Sequence, residues 1–257
     1  TWMACGLNID NTHFYRQSDV SEVTELAWYL SCFFPYKRLT LAHSFKDKSE
    51  QLADVNAGLF SYPMLMAADI LLYNAEIVPV GKDQLQHLEI TRDVAAKFNH
   101  QMGDTFVLPQ AKIQENSQFV PGTDGEKMSK SKENTINVFL PEKELKKQVM
   151  SIKTNSIPVK DSKDPETCNI FAIYSLLASP TSVQALHDKY LSGGMGYGYV
   201  KQLLLDLILE RFETERSQFN YYYEHPEEVH IALAKGAEKA RKVANEVLLS
   251  VRDKVGY

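Results

Sequence analysis

The residue pattern changes near Pro141, and that change limits the possible folds more than any other feature. Before it, short runs of strand character (His13 to Gln17, Ile77 to Val80, Thr135 to Phe139) alternate with helical stretches. After it, helical spacing dominates: Glu142 to Met150, Asn169 to Leu177, Ser182 to Tyr190, Tyr197 to Tyr223 and Pro226 to Val255. Alternating strands and helices build a parallel sheet covered by helices, whereas successive helices build a bundle. We therefore expect an α/β domain over residues 1–140 and an all-helical domain over residues 141–257. Within the first, Val20 to Phe33 reads as a helix with Ser18, Asp19 and Glu22 as capping candidates. No internal repeat or low-complexity tract interrupts this order.

The α/β part contains one strand-to-helix turn with chemical content. Glu76-Ile77-Val78-Pro79-Val80 is a short apolar strand, and Gly81-Lys82-Asp83-Gln84 turns it into a helix running to about Asn99. A glycine at the carboxyl end of a strand lets a nucleotide approach the backbone, and doubly wound sheets bind ligands at that edge. Ordinary turns of this kind far outnumber binding sites. Gln84 can satisfy the helix terminus or hold a substrate amino group.

Just upstream, Tyr62-Pro63-Met64-Leu65-Met66-Ala67-Ala68-Asp69-Ile70-Leu71-Leu72-Tyr73 reads as an amphipathic helix, with Ser61 as its cap and Pro63 in its first turn. Asp69 breaks the pattern, because it falls three residues after Met66 on much the same face. A carboxylate there is costly to bury unless something donates to it. It either turns to solvent and the backbone, or serves as the acceptor of an apolar pocket. An indole, a donor-only group on a large apolar ring, suits the second case.

The third constellation is Lys127-Met128-Ser129-Lys130-Ser131, which follows Val120-Pro121-Gly122-Thr123-Asp124-Gly125 and precedes Lys132-Glu133-Asn134. The glycines and polar residues place it on a mobile loop. Two ammonium groups on such a loop can close over a triphosphate and neutralise charge developing on pyrophosphate. A solvated charged turn has the same composition.

Two of these segments carry a family resemblance. Lys127 to Ser131 is similar in every position to the KMSKS loop of class I aminoacyl-tRNA synthetases, and YPMLMAADILLYNAEIVPVGKDQLQHLEITRDVAAKFN resembles the core of the bacterial-type tryptophanyl-tRNA synthetases. The resemblance extends from roughly Leu7 to the Gly236–Arg241 segment. It implies a Rossmann-like doubly wound parallel sheet followed by helices on the tRNA anticodon side. It further implies a tryptophan site lined by Tyr62, Met66, Asp69, Ile70, Val78, Val80 and Gln84, in which Asp69 takes the indole N–H while Tyr62 and Gln84 hold the amino group. Gly81, Lys82 and Asp83 then lie against the nucleotide, Val120 near the adenine, and Lys48 on the phosphates. Lys127 and Lys130, within the loop Lys127-Met128-Ser129-Lys130-Ser131, serve ATP catalytically.

The chain departs from that family in one respect. Class I synthetases carry a HIGH-like tetrapeptide after the first strand to grip ATP, and none occurs here; His13-Phe14 and His43-Ser44 have neither its glycines nor its position. The expectation is a sheet incomplete at its N-terminal side and a chain that, as it stands, does not activate an amino acid.

The implied reaction is attack by the tryptophan carboxylate on the α-phosphate of ATP, which carries Mg²⁺, then transfer of the acyl group to tRNA(Trp). No dedicated protein metal ligands are expected. The resemblance also implies a homodimer. Two other readings stay open: the neighbouring tyrosine enzyme, and a non-catalytic binding module derived from a synthetase. A phenol both donates and accepts, which calls for a pocket unlike Met66-x-x-Asp69.

Composition sets outer limits. Hydrophobic residues make up 44% and charged residues 24%, the usage of a globular protein. No apolar run approaches a membrane span, and Cys5, Cys32 and Cys168 read as reduced, buried thiols, so the cytoplasm is expected. A net charge of −5 argues against a general nucleic-acid binder but leaves local basic patches open, such as Lys143, Lys146, Lys147 and Lys153, or Lys235, Lys239, Arg241 and Lys242. Ser192-Gly193-Gly194-Met195-Gly196-Tyr197-Gly198 has the glycines of a phosphate loop without its Lys-Ser/Thr ending, and reads as the entry turn of a helix. Tyr221-Tyr222-Tyr223 can stack on nucleotide bases, although an aromatic cluster at a helix end is usually packing.

Overall fold

The computed structural model describes residues 1–42, 55–113 and 120–257. By packing, these form two compact units: Asn8–Asn116 with Glu227–Tyr257, and Ser117–Pro226 with Thr1–Leu7.

The first unit holds α1 (Glu22–Phe33), α2 (Tyr36–Leu39), α3 (Ala57–Leu71), β1 (Ile77–Val80), α4 (Leu85–Met102) and β2 (Gln110–Ile113). β1 and β2 pair in parallel, from Ile77 opposite Gln110 to Val80 opposite Ile113, so β1–α4–β2 is a βαβ unit. The core follows from helical spacing. Val23, Leu26 and Leu30 of α1, Met64, Ala67, Ala68 and Leu71 of α3, and Ile90, Val94, Ala95 and Phe98 of α4 meet in one buried cluster. Phe33 and Phe106 close on the Phe98 ring at 4.7 and 4.9 Å.

The last helix returns to this same unit. Its stripe Ala237, Ala240, Ala244, Val247, Leu248 and Val251 joins the cluster. Small residues let the backbone come close: a Cβ on Gly236 would sit 1.9 Å from the Phe14 carbonyl oxygen. Arg252 clamps the helix to α1 by donating from Nε and Nη2 to the two Glu25 oxygens at 2.7 and 2.5 Å. The packing thus divides the chain after Leu7, after Asn116 and after Pro226, whereas the sequence pattern changes at Pro141. Helical content changes at Pro141; the partner of the final helix does not depend on that change.

The second unit is helical: α5 (Glu142–Met150), α6 (Asn169–Leu177), α7 (Pro180–Ser192), α8 (Tyr197–Arg211) and α9 (Glu213–Glu224), with α10 (Pro226–Val255) following in the first unit. Leu145, Val149, Ile170, Phe171, Leu186, Tyr190, Leu204 and Ile208 supply its core. An incomplete Rossmann-like region plus a helical body is the architecture the sequence led us to expect.

Several local expectations need correction. The long helix expected over Tyr197 to Tyr223 is two helices, interrupted at Phe212 (φ −111°, ψ 19°). The helix bearing Asp69 starts at Ala57, capped by the Asn56 side chain accepting from Leu59 N, so Ser61 and Pro63 lie inside it. Neither Ser18, Asp19 nor Glu22 caps α1, where Ser21 stands at the cap without a side-chain bond. Thr135 to Phe139 is no strand: Ile136, Val138 and Leu140 pack onto the helical core, which satisfies the same alternation. His13 to Gln17 forms no ladder either, whereas the unforeseen β2 does, through pairing with β1 and not through its own exposed pattern. Only Cys168 is buried; Cys5 and Cys32 are exposed.

Candidate functional site

The edge of β1 ends in a glycine turn. Gly81 opens the single turn Lys82–Gln84 that leads into α4, with Gln84 N donating to Gly81 O at 3.0 Å. A Cβ at Gly81 would lie 2.6 Å from Asp83 Oδ1, so glycine is what lets that carboxylate fold over the backbone. Gln84 Nε2 donates to Asp83 Oδ2 at 3.0 Å.

Against this turn the structure gathers the expected apolar residues. Ile70, Val80 and Leu88 are buried together, with Met66, Val78 and Leu85 packed on them. Met66 and Ile70 stand one turn apart on α3, and Val78 and Val80 share one face of β1, so helix and strand periods converge. Tyr62 lies one turn before Met66, half exposed, its ring edge-on to buried His87 at 6.2 Å.

Asp69, one residue before Ile70, is half-buried and accepts from Gln17 Nε2 at 2.6 Å. Burial pushes its carboxyl above the ordinary range, and the Gln17 amide pulls partly the other way. Tyr15 and Tyr73, with rings 5.9 Å apart, adjoin it; burial raises both phenols and the Asp69 charge adds to that. Sequence reasoning missed Gln17. It stands at the end of a strand-like run, and the available signal was a polar residue followed by Ser18 and Asp19 where the chain turns.

In the second unit, Lys127–Ser131 sits on a framed hairpin. Pro121 and Lys127 form an antiparallel bridge, Met128 N donates to Val120 O at 2.9 Å, and Gly122 N to Glu126 O at 2.7 Å. The centre of the frame is Asn134, 2% exposed. Its Nδ2 donates to Asp124 Oδ1 at 2.8 Å and Lys127 O at 3.2 Å, while its Oδ1 accepts from Ser129 N at 2.8 Å. Its carbonyl accepts from Thr123 N at 2.9 Å. The Asn134 amide also holds the Asp124 carboxyl below its ordinary range. A Cβ at Gly122 would fall within 2.4–2.6 Å of Asn134, and one at Gly125 (φ +89°) within 2.6 Å of the Asn169 amide. Lys127 and Lys130 are exposed, and Ser129 Oγ lies 2.8 Å from Ser131 Oγ. Val120, the adenine candidate, is exposed at the hairpin base. Asn134 too escaped the sequence reading, because an Asn after a charged run looks like any turn residue.

Lys48 lies outside the described residues. Of the basic patches, Lys235 reaches Asp10 Oδ1 at 3.5 Å and Lys239 the Asp10 carbonyl at 3.2 Å, tying α10 to its own unit. The Gly193–Gly196 stretch is an entry turn: Gly193 (φ +72°) abuts the Lys160 carbonyl and Gly196 stands at the cap of α8. At the end of α9, Tyr221 lies against Tyr222 at 5.6 Å and His225 at 4.6 Å, while Tyr221 and Tyr223 are exposed, so the run is not buried packing.

A strand–glycine–helix edge and a lysine hairpin on a framed loop define a nucleotide-using α/β enzyme class. The family model for class I tRNA synthetases (W and Y) matches residues 1–213, and the chain belongs to that family. Among its relatives, the tryptophan–tRNA ligase of Campylobacter jejuni (strain RM1221) is 47% identical over 255 residues, covering 99% of this chain and 80% of that protein. The tryptophan–tRNA ligase of Fusobacterium nucleatum is 46% identical, covering 99% of this chain and 78% of that protein. The crystal structure of the Campylobacter jejuni tryptophanyl-tRNA synthetase complexed with ADP and tryptophan superposes with a TM-score of 0.96 at 46% identity, over all of this chain and 80% of that one. Membership of the class implies use of ATP.

Proposed function

We infer that this chain is a tryptophan–tRNA ligase, which activates L-tryptophan with ATP and transfers it to tRNA(Trp). The observation that carries this reading is Asp69, a half-buried carboxylate on the helix that also supplies Met66 and Ile70 to the apolar cluster with Val78 and Val80. Such a cluster suits an indole ring, and the carboxylate suits its N–H. The similar Campylobacter jejuni enzyme was crystallised with tryptophan and ADP, which supports tryptophan as the amino acid. Tyr62 and Gln84 then hold the amino group, and Gly81, Lys82 and Asp83 the nucleotide, with Val120 near the adenine.

In the reaction, a tryptophan carboxylate oxygen attacks the α-phosphorus of ATP. The bond to the β-phosphate oxygen breaks, and pyrophosphate leaves with the electron pair as the adenylate forms. The ribose hydroxyl of the tRNA terminus then takes the acyl group and AMP departs. No covalent enzyme intermediate is needed; positioning and charge stabilisation supply the rate. Lys127 and Lys130 act on the phosphates, where point charges are worth most as pyrophosphate charge develops. Lys48 serves the same phosphates, Met128, Ser129 and Ser131 complete the loop, and Mg²⁺ arrives with the nucleotide.

The reading also assigns a homodimer in the cytoplasm, with the helical residues after Pro141 meeting the anticodon side of the tRNA. Support for the dimer comes from a groove of about 550 Å³ lined by Phe34, Phe60 and Leu65, beside which Trp28 and Tyr36 are 69% and 70% exposed. Apolar patches of that kind are typical of association surfaces. Trp28→Glu should convert a dimer to a monomer in light scattering; a wild-type monomer contradicts the assignment.

The 257 residues contain no HIGH-like tetrapeptide, so the primary test is binding. Isothermal titration of the folded chain should show L-tryptophan bound and L-tyrosine rejected. Preference for tyrosine would favour the neighbouring enzyme, and binding of neither would return the non-catalytic module.

A further inference from the structure

We propose that Gln17 is a positioning residue for ligand choice, its side-chain amide fixing the Asp69 carboxylate as the acceptor for an indole N–H. The assignment rests on the tryptophan reading above. Gln17 opens the turn Gln17–Asp19, which is anchored by fully buried Val20, whose N–H donates to Gln17 O at 3.0 Å. Asp69 is anchored separately, between buried Ala68 and Ile70 on α3. An exposed turn next to buried Val20 and a packed helix, 52 residues apart in sequence, therefore meet through one 2.6 Å bond from Gln17 Nε2 to Asp69 Oδ2. A carboxylate offers about four acceptor positions. With Oδ2 held, the plane of the group is set and Oδ1 remains for a ligand.

The chemistry then decides between ligands. An indole N–H only donates, so it pairs best with an ionised carboxylate, which is acceptor-only and the stronger acceptor; a protonated carboxyl keeps one acceptor oxygen but adds a donor, which a phenol can accept and an indole cannot. Burial works against ionisation of Asp69, and the Gln17 N–H works for it. The other groups around Asp69 do not help: Tyr15 and Tyr73 are held neutral, and Glu22 on α1 adds negative charge beside Tyr73. On α4, His87 faces Tyr62. Gln17 is thus the neighbour whose N–H favours the charged form of the acceptor.

The test is titration calorimetry of the 257-residue chain with L-tryptophan from about pH 4 to 8, using wild type, Gln17→Met and Gln17→Glu. Wild-type affinity should fall as Asp69 takes up its proton. Gln17→Met, of similar length without the donor, should move that fall to higher pH and weaken binding at neutral pH about tenfold, the worth of one charge-assisted hydrogen bond. Gln17→Glu should move it further. Affinity for 1-methyltryptophan, which lacks the N–H, should hardly change. Superimposable pH profiles for wild type and Gln17→Met overturn the proposal while leaving the tryptophan reading intact. If Gln17→Met does not fold, the Gln17→Glu profile decides in the same way. A wild-type chain that binds no tryptophan overturns the underlying reading and this assignment with it.

Discussion

The Asp69 region and the lysine hairpin are built from opposite materials. On the helix of Asp69 the shape comes from apolar burial: Met66, Ile70, Val78 and Val80 are set by helix and strand periods, while the Asp69 carboxylate meets Gln17. Around Lys127–Ser131 the shape comes from hydrogen bonds to one buried amide, Asn134, and the lysines are left in solvent. A pocket that selects a flat ring needs rigid walls. A phosphate clamp needs charges that stay hydrated until they are used, on a base that does not wander.

The contrast gives testable differences. The largest effect should follow from Lys127→Ala or Lys130→Ala, in a form of the protein that also carries a HIGH-like ATP element. Turnover in tryptophan-dependent pyrophosphate exchange should drop about 10²–10³-fold, the cost of removing a transition-state charge, with little change in tryptophan affinity. Loss of tryptophan affinity with unchanged turnover would remove this loop from the chemistry.

Next comes Asn134→Ala, which strips partners from Ser129 N, Lys127 O and Asp124 together. It should cost about 1–3 kcal/mol in denaturant unfolding and lower exchange activity, yet leave tryptophan binding alone. An unchanged midpoint would mean the frame is dispensable. Gly236→Ala should cost a similar ~1–3 kcal/mol through overpacking against Phe14, again by denaturant titration. Neutrality there would contradict the close seating of α10.

The smallest effect concerns acid, and its sign differs between the regions. Asp69 has a raised folded pKa, so its contribution to stability is present below the ordinary carboxylate pKa and lost as pH rises through the folded value. Asp124 has a lowered one, so its contribution is present above the ordinary pKa and lost as pH falls through the folded value. At neutral pH, Asp69→Asn should therefore raise the melting temperature slightly and Asp124→Asn lower it. Shifts of the same sign would break the comparison.

The sequence was most informative where one period governs a segment. α5 (Glu142–Met150), α6 and α10 begin and end where helical spacing places them, and Met66, Ile70, Val78 and Val80 fall in one apolar cluster. It was least informative where partners are distant. β2 is a strand because β1 lies beside it, although none of its residues is buried. Gln17 meets Asp69, and Gly236 meets Phe14, only after the chain has folded back across many residues. Asn134 is legible as a turn residue but not as the hub of a hairpin. Local pattern carries no record of such contacts.

The central claim is that ligand choice resides at Asp69 and phosphate work at the lysine hairpin. Calorimetric titration of L-tryptophan into the 257-residue chain, as wild type, Asp69→Ala and Lys130→Ala, tests it directly. The account predicts that Asp69→Ala loses tryptophan binding, by about tenfold at least from the missing charged acceptor, while Lys130→Ala binds as wild type does. Equal affinity for wild type and Asp69→Ala, or loss of tryptophan in Lys130→Ala alone, would contradict it.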